Sequence, residues 1–144
     1  MLHLHPAIVH FPIAMLTFST FVGVYNLFRP SPFLTDLLFW LIAAGVISSF
    51  AGIISGLTDE SFLKFHADQK RLLQLHELTG YLTVFIYTGL LFWLIIRKKQ
   101  LNGREMYIYN LVSVAACIIL IYQGYIGGEM VYKNGIGVEC VEKK

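Results

Sequence analysis

Charge is what this chain has least of. Only 14% of its 144 residues are Asp, Glu, Lys or Arg, where a soluble domain carries about 25%, and the net charge is just +2. So slight a balance, with no basic stripe interleaved with aromatics, excludes a nucleic-acid partner. Cysteine is nearly as scarce. Cys117 falls in an apolar run and Cys140 in a polar tail, with no CxxC pair between them. Neither a disulfide framework nor a four-thiolate metal site is therefore expected. The first residues lack both a basic stretch and a small-residue cleavage site, so 1–28 is expected to be retained as a helix and not removed as a signal peptide. Internal repeats and low-complexity tracts are absent as well.

Apolar side chains fill the sequence instead. At 56% hydrophobic residues and a mean hydropathy of +0.64, the chain reads as one small integral membrane domain, 1–144. Four apolar runs, at about 6–28, 37–57, 72–96 and 106–127, are each long enough to cross a bilayer as a helix. The expected fold class is all-α: a four-transmembrane-helix bundle with a short amphipathic interfacial segment at 62–71 between helices two and three, and a polar tail at 128–144. Arg29-Pro30-Ser31-Pro32 is a turn signal. Pro12 removes the hydrogen bond to the Ile8 carbonyl and should loosen the backbone around His10. Trp40 is placed to anchor one end of the second run at the interface. Gly45, Ser48, Ser49, Gly52 and Gly56 form a stripe that lets another backbone come close.

The third run carries the chemistry. His76, Gly80, Thr83 and Tyr87 recur at i, i+4, i+7 and i+11, on one helix face. A histidine one turn inside a membrane helix faces the bundle interior, a partner group or a ligand. Four crossings bring the start of span one, the end of span two, the start of span three and the end of span four to one membrane face. That face collects His3, His5, His10, His66 and His76, together with Asp59, Glu60, Asp68, Glu77 and Glu129. His10 and His76, each about one turn inside its span, are expected at similar depth. The basic loop at 97–104 and a first tail without Lys or Arg place both termini on the extracytoplasmic side.

Three readings follow. In the first, His10 and His76 are axial ligands of a b-type haem, Gly80, Ala14 and Gly52 leave room for the macrocycle, and Lys70 or Arg71 pairs with its propionates. The protein is then a membrane electron-transfer protein, with a quinol or an extracytoplasmic redox protein as partner. In the second, His5, His10, His66 and His76, with a carboxylate such as Asp59 or Glu129, hold Zn or Cu. In the third, the small-residue stripes only pack helices, in an oligomer or as a non-catalytic scaffold subunit of a larger membrane complex. No catalytic residue is assigned.

Both ends of the chain also carry extended motifs: His-Pro-Ala-Ile-Val-His-Phe-Pro at 5–12 and Gly-Tyr-Ile-Gly-Gly-Glu-Met-Val-Tyr-Lys-Asn-Gly-Ile-Gly-Val at 124–138. With the Gly-Leu-x-Asp-like turn at 56–59, they resemble a bacterial family of small four-helix membrane proteins of unknown function, with an HPxxVHFP opening and a GYxGGxxVYxxGxGV close. The resemblance covers nearly the whole chain. It implies a multi-pass protein of a bacterial cytoplasmic membrane. The motif positions here are His5, His10, Gly127, Gly128 and Tyr132, with His66 or His76 as the third-span histidine. Relatives joined to Rieske or c-type cytochrome domains lean the expectation toward electron transfer.

Overall fold

The structure, a computed structural model, describes residues 5–62 and 67–136. Five helices follow in order: α1 (His5–Ile8), α2 (His10–Phe28), α3 (Pro32–Phe62), α4 (Ala67–Ile96) and α5 (Gly103–Tyr132). Among the described residues there is no strand. This is the all-α architecture expected of a bilayer, where a helix satisfies its own backbone groups. Four stretches, His5–Phe28, Pro32–Ser61, Gln69–Ile96 and Gly103–Tyr132, are long and apolar enough to cross a membrane.

Local chemistry explains the breaks. Pro12 has no N–H to give Ile8, and the helix is interrupted at Val9, between α1 and α2. Val9 keeps right-handed helical angles, and Ile13 N–H still reaches its carbonyl at 3.2 Å, so the interruption is slight. At the far end of α2, Asn26 ties the Pro-rich turn together. Its Oδ1 accepts Ser31 N–H at 3.0 Å and its Nδ2 donates to Thr35 Oγ1 at 3.1 Å. Between α4 and α5 the chain turns through Lys98 and Lys99, both left-handed at φ 49° and 62°. A capping box then starts α5: Asn102 Oδ1 accepts Glu105 N–H at 2.9 Å, and Glu105 Oε2 accepts Asn102 N–H at 3.0 Å. Lys99 pairs with Asp36, tying this loop to the start of α3.

The helices at the histidine end run past the expected spans. Thr58 and Ser61 are helical in α3, and Gln69, Lys70 and Arg71 belong to α4. Thr58 and Ser61 donate their hydroxyl protons to the carbonyls of Ile54 and Thr58, which satisfies donors that would otherwise need water. The interfacial segment expected at 62–71 falls partly on 63–66, outside the described residues. Its two ends close α3 and open α4.

Packing divides the bundle into two hairpins, α2 on α3 and α4 on α5, with lighter contacts between them. The apolar core is formed by Leu16, Leu38, Ile42, Val46, Tyr87, Leu90, Leu94, Tyr109, Ala116 and Leu120. Large side chains such as Phe18, Phe21, Trp40, Phe85 and Ile118 face outward. In water such a surface would be untenable; in a bilayer it is the lipid contact. The stripe on α3 packs as expected. A Cβ at Gly45 would lie 2.5 Å from Leu16 Cδ2, so α2 and α3 touch there through a bare backbone.

Candidate functional site

At the end of the bundle where α1, the end of α3, the first turns of α4 and the end of α5 meet, two imidazoles approach each other. They are those of His5 and His76, with ring centroids 6.3 Å apart and planes at 85°. One comes from each hairpin.

Both rings are held in the same way. His5 Nδ1 lies 3.0 Å from the carbonyl oxygen of Gly52, and His76 Nδ1 lies 3.3 Å from that of Gln123. A carbonyl can only accept, so in each ring Nδ1 carries the proton and the neutral imidazole keeps its lone pair on Nε2. The Ser55 hydroxyl, also 3.0 Å from His5 Nδ1, donates to Gly52 O at 2.8 Å and so shares that proton as an acceptor. One turn beyond each carbonyl stands a glycine. A Cβ on Gly56 would come within 3.1 Å of His5 Cε1, and one on Gly127 within 3.3 Å of His76 Cε1. In a helix the side chain at i+4 overlies the carbonyl of residue i. Glycine at 56 and 127 therefore leaves the carbonyls of 52 and 123 open to an imidazole. Nε2 makes no hydrogen bond to a described residue in either ring.

Carboxylates rim this mouth. His5 N–H points to Asp59 Oδ2 at 3.4 Å, and the side chains of Glu60 on α3 and Glu77 on α4 face each other. Arg71, Leu72, Leu75, Glu129 and Asn134 line an open groove beside it. Glu129 is engaged by Lys133 and by Tyr125 OH at 3.1 Å.

The expected pairing of His10 with His76 is corrected here. His10 is exposed on the outer side of α2, its Nδ1 against the Pro6 carbonyl one turn back. The reason is rotation. Pro12, Leu16, Ser19, Thr20, Gly23 and Asn26 face the core, and His10, two residues before Pro12, is turned about 200° from it. Ala14 is exposed on that same outer side. The space expected at Gly80 is also filled: a Cβ there would lie 2.6 Å from Gln123 Nε2, and Val9 Cγ1 covers Gly52 at 3.6 Å. Lys70 and Arg71 are exposed on the first turns of α4, on the histidine face. His3, His66 and Cys140 lie outside the described residues. Among those described, no three of His, Cys, Asp and Glu come together to hold a metal ion. Gln123 was missed by sequence reasoning, and its signal was the Gln123-xxx-Gly127 spacing that repeats Gly52-xxx-Gly56.

No curated protein and no solved structure matches the chain. A family model described as "Predicted membrane protein (DUF2231)" matches residues 2–140, nearly the whole length over which these helices, histidines and glycines are arranged, and the chain belongs to that family of membrane proteins of unknown function.

Proposed function

We propose that this protein is a membrane electron-transfer protein that binds b-type haem between His5 and His76. The observation that carries the reading is the paired, Nδ1-anchored imidazoles, each with its Nε2 lone pair uncommitted among the described residues. Hydrogen bonding of the distal ring nitrogen to a backbone carbonyl is how proteins orient a ligating histidine and fix its tautomer. Haem bound here would be held by the two rings, one from each hairpin, whose centroids stand 6.3 Å apart. A Zn or Cu site would want a third ligand, which the described residues do not bring.

Haem would supply one-electron chemistry. The chain's own part is to hold the two imidazoles, to set the polarity around them with Asp59, Glu60 and Glu77, and to offer Lys70 and Arg71 to the propionates. With the mouth on the extracytoplasmic side, a quinol in the bilayer or an exported redox protein is the partner.

Protein purified from membranes of a haem-sufficient host should show a Soret band that sharpens on reduction. His5→Ala and His76→Ala should each abolish it, and His10→Ala should leave it in place. Colourless wild-type protein would refute the reading, and so would a spectrum lost in His10→Ala but kept in the other two.

A further inference from the structure

The polar face of α4 beneath His76 is not used by the haem site. Thr83 and Tyr87 are buried at 2% and 0% exposure. Tyr87 OH meets Thr20 Oγ1 of α2 at 2.8 Å, and Thr20 Oγ1 meets Ser113 Oγ of α5 at 2.8 Å. Tyr87 OH also donates to the Ser113 carbonyl at 3.4 Å. One turn toward the opposite membrane face come Tyr109 and Asn110 of α5, with Gly23 of α2 level with them: a Cβ on Gly23 would lie 2.6 Å from Asn110 Oδ1. One turn further, Asn26 is buried and bonded to Thr35 and Ser31. With the Gln123 amide lying over Gly80, between His76 and Thr83, a column of polar side chains follows the bundle axis from the histidine mouth to the far turn. Its levels are three or four residues apart, about 5–6 Å along a helix, a gap that one water spans.

Polar residues that merely fasten membrane helices together pair with each other or with backbone. Thr20 and Ser113 do so. Tyr109 does not. Its hydroxyl is fully buried and has no partner among the described residues, as is true of Thr88 Oγ1 and Asn110 Oδ1. An orphaned buried hydroxyl costs about 1–3 kcal/mol, and phenylalanine would fill the same space without that cost. Such atoms are where buried water binds, making two to four hydrogen bonds.

We infer that this column conducts protons along the bundle axis, between the histidine mouth and the turn at Asn26, with waters completing it at Tyr109 and Asn110. In each hop a hydroxyl or water oxygen accepts a proton on a lone pair and releases its own to the next acceptor. One proton enters, one leaves, and only O–H bonds exchange. In the contacts of Thr20 with Tyr87 and Ser113 either oxygen can donate, so the chain works in both directions. The amides of Asn110 and Asn26 orient water and carry no proton. At the mouth, Glu60 and Glu77 load and unload the chain. This inference does not depend on haem.

The test is proton flux into liposomes holding the full chain and an entrapped pH dye, driven by a potassium diffusion potential. Wild-type protein should acidify the lumen several-fold faster than protein-free vesicles. Tyr87→Phe should cut that excess at least tenfold, and the lipid-facing Phe85→Leu should leave it unchanged. Tyr109→Phe breaks no hydrogen bond among the described residues, so it tests the path even where Tyr87→Phe fails to assemble; it too should slow the flux. Wild-type flux equal to that of empty vesicles would overturn the inference, as would a Tyr109→Phe protein that conducts at the wild-type rate.

Discussion

Gly127 and Gly128 are neighbours on α5, and replacing each by alanine separates the imidazole seat from ordinary helix energetics. Alanine in a helix interior is about 1 kcal/mol more favourable than glycine. At Gly128 nothing lies within 4 Å of the new Cβ, so Gly128→Ala should keep that gain. At Gly127 the Cβ would stand 3.3 Å from His76 Cε1 and 3.7 Å from Nδ1. The ring must retreat by a few tenths of an ångström. Its bond to the Gln123 carbonyl is already 3.3 Å long, so the retreat breaks it, at about 0.5–1.5 kcal/mol. Gly127→Ala should therefore come out about 1 kcal/mol less stable than Gly128→Ala. Gly56→Ala is tighter, with contacts of 3.1, 3.3 and 3.6 Å to three atoms of the His5 ring. Overpacking of that kind costs about 1–3 kcal/mol, which puts it about 2 kcal/mol below Gly128→Ala. Reversible unfolding in mixed micelles against a denaturing detergent measures these differences. Imidazole nitrogen shifts report whether Nδ1 still donates. If all three variants unfold alike and the tautomers are unchanged, the glycines do not open the carbonyls to the rings and the seat has been misread.

Three further substitutions probe the fold that presents the site. Gly45→Ala drives a Cβ to 2.5 Å from Leu16 Cδ2 and 3.3 Å from the Leu16 backbone nitrogen; α2 and α3 must part, and a loss of about 1–3 kcal/mol in the same unfolding assay is expected. Asn102→Ala removes the side-chain half of the capping box on α5, and should cost about 1 kcal/mol, read as earlier exchange of the first amides of that helix. Lys98→Gly should go the other way. With φ at 49°, lysine sits where a Cβ costs about 1–2 kcal/mol. Part of the relief is lost to the freer unfolded chain, leaving about 0.5–1 kcal/mol of stabilisation, visible as a later unfolding midpoint.

The four helices long enough to cross a membrane, the turn at Pro30 to Pro32 and the gathering of His5, His10 and His76 at one end were legible in the sequence because each depends on local signals: hydrophobic length, proline, and the parity of the crossings. The rotation of each helix about its own axis was harder. A lipid-exposed face and a buried face are both apolar, so hydrophobic periodicity does not distinguish them. Here the inside of α2 is the more polar side, with Ser19, Thr20, Gly23 and Asn26 buried while Phe18, Phe21 and Tyr25 face out. Small and polar residues mark the interior of such a bundle, and that rule orients α2 from its sequence. At about 100° per residue, His5 lies seven residues before Pro12 and eleven before Leu16, within about 20° of both, so it belongs on the inner face. His10, by the same arithmetic, lies about 160° from Pro12 by the shorter way and belongs outside. The register survives the interruption at Val9 because that residue stays helical. Depth and the small residues on its own face favour His10, one turn further into the span, but neither says which way that face turns. The ring that reaches His76 is the one on α1 whose angular position, carried back through Val9 from α2, is set by serine, threonine, glycine and asparagine far below it.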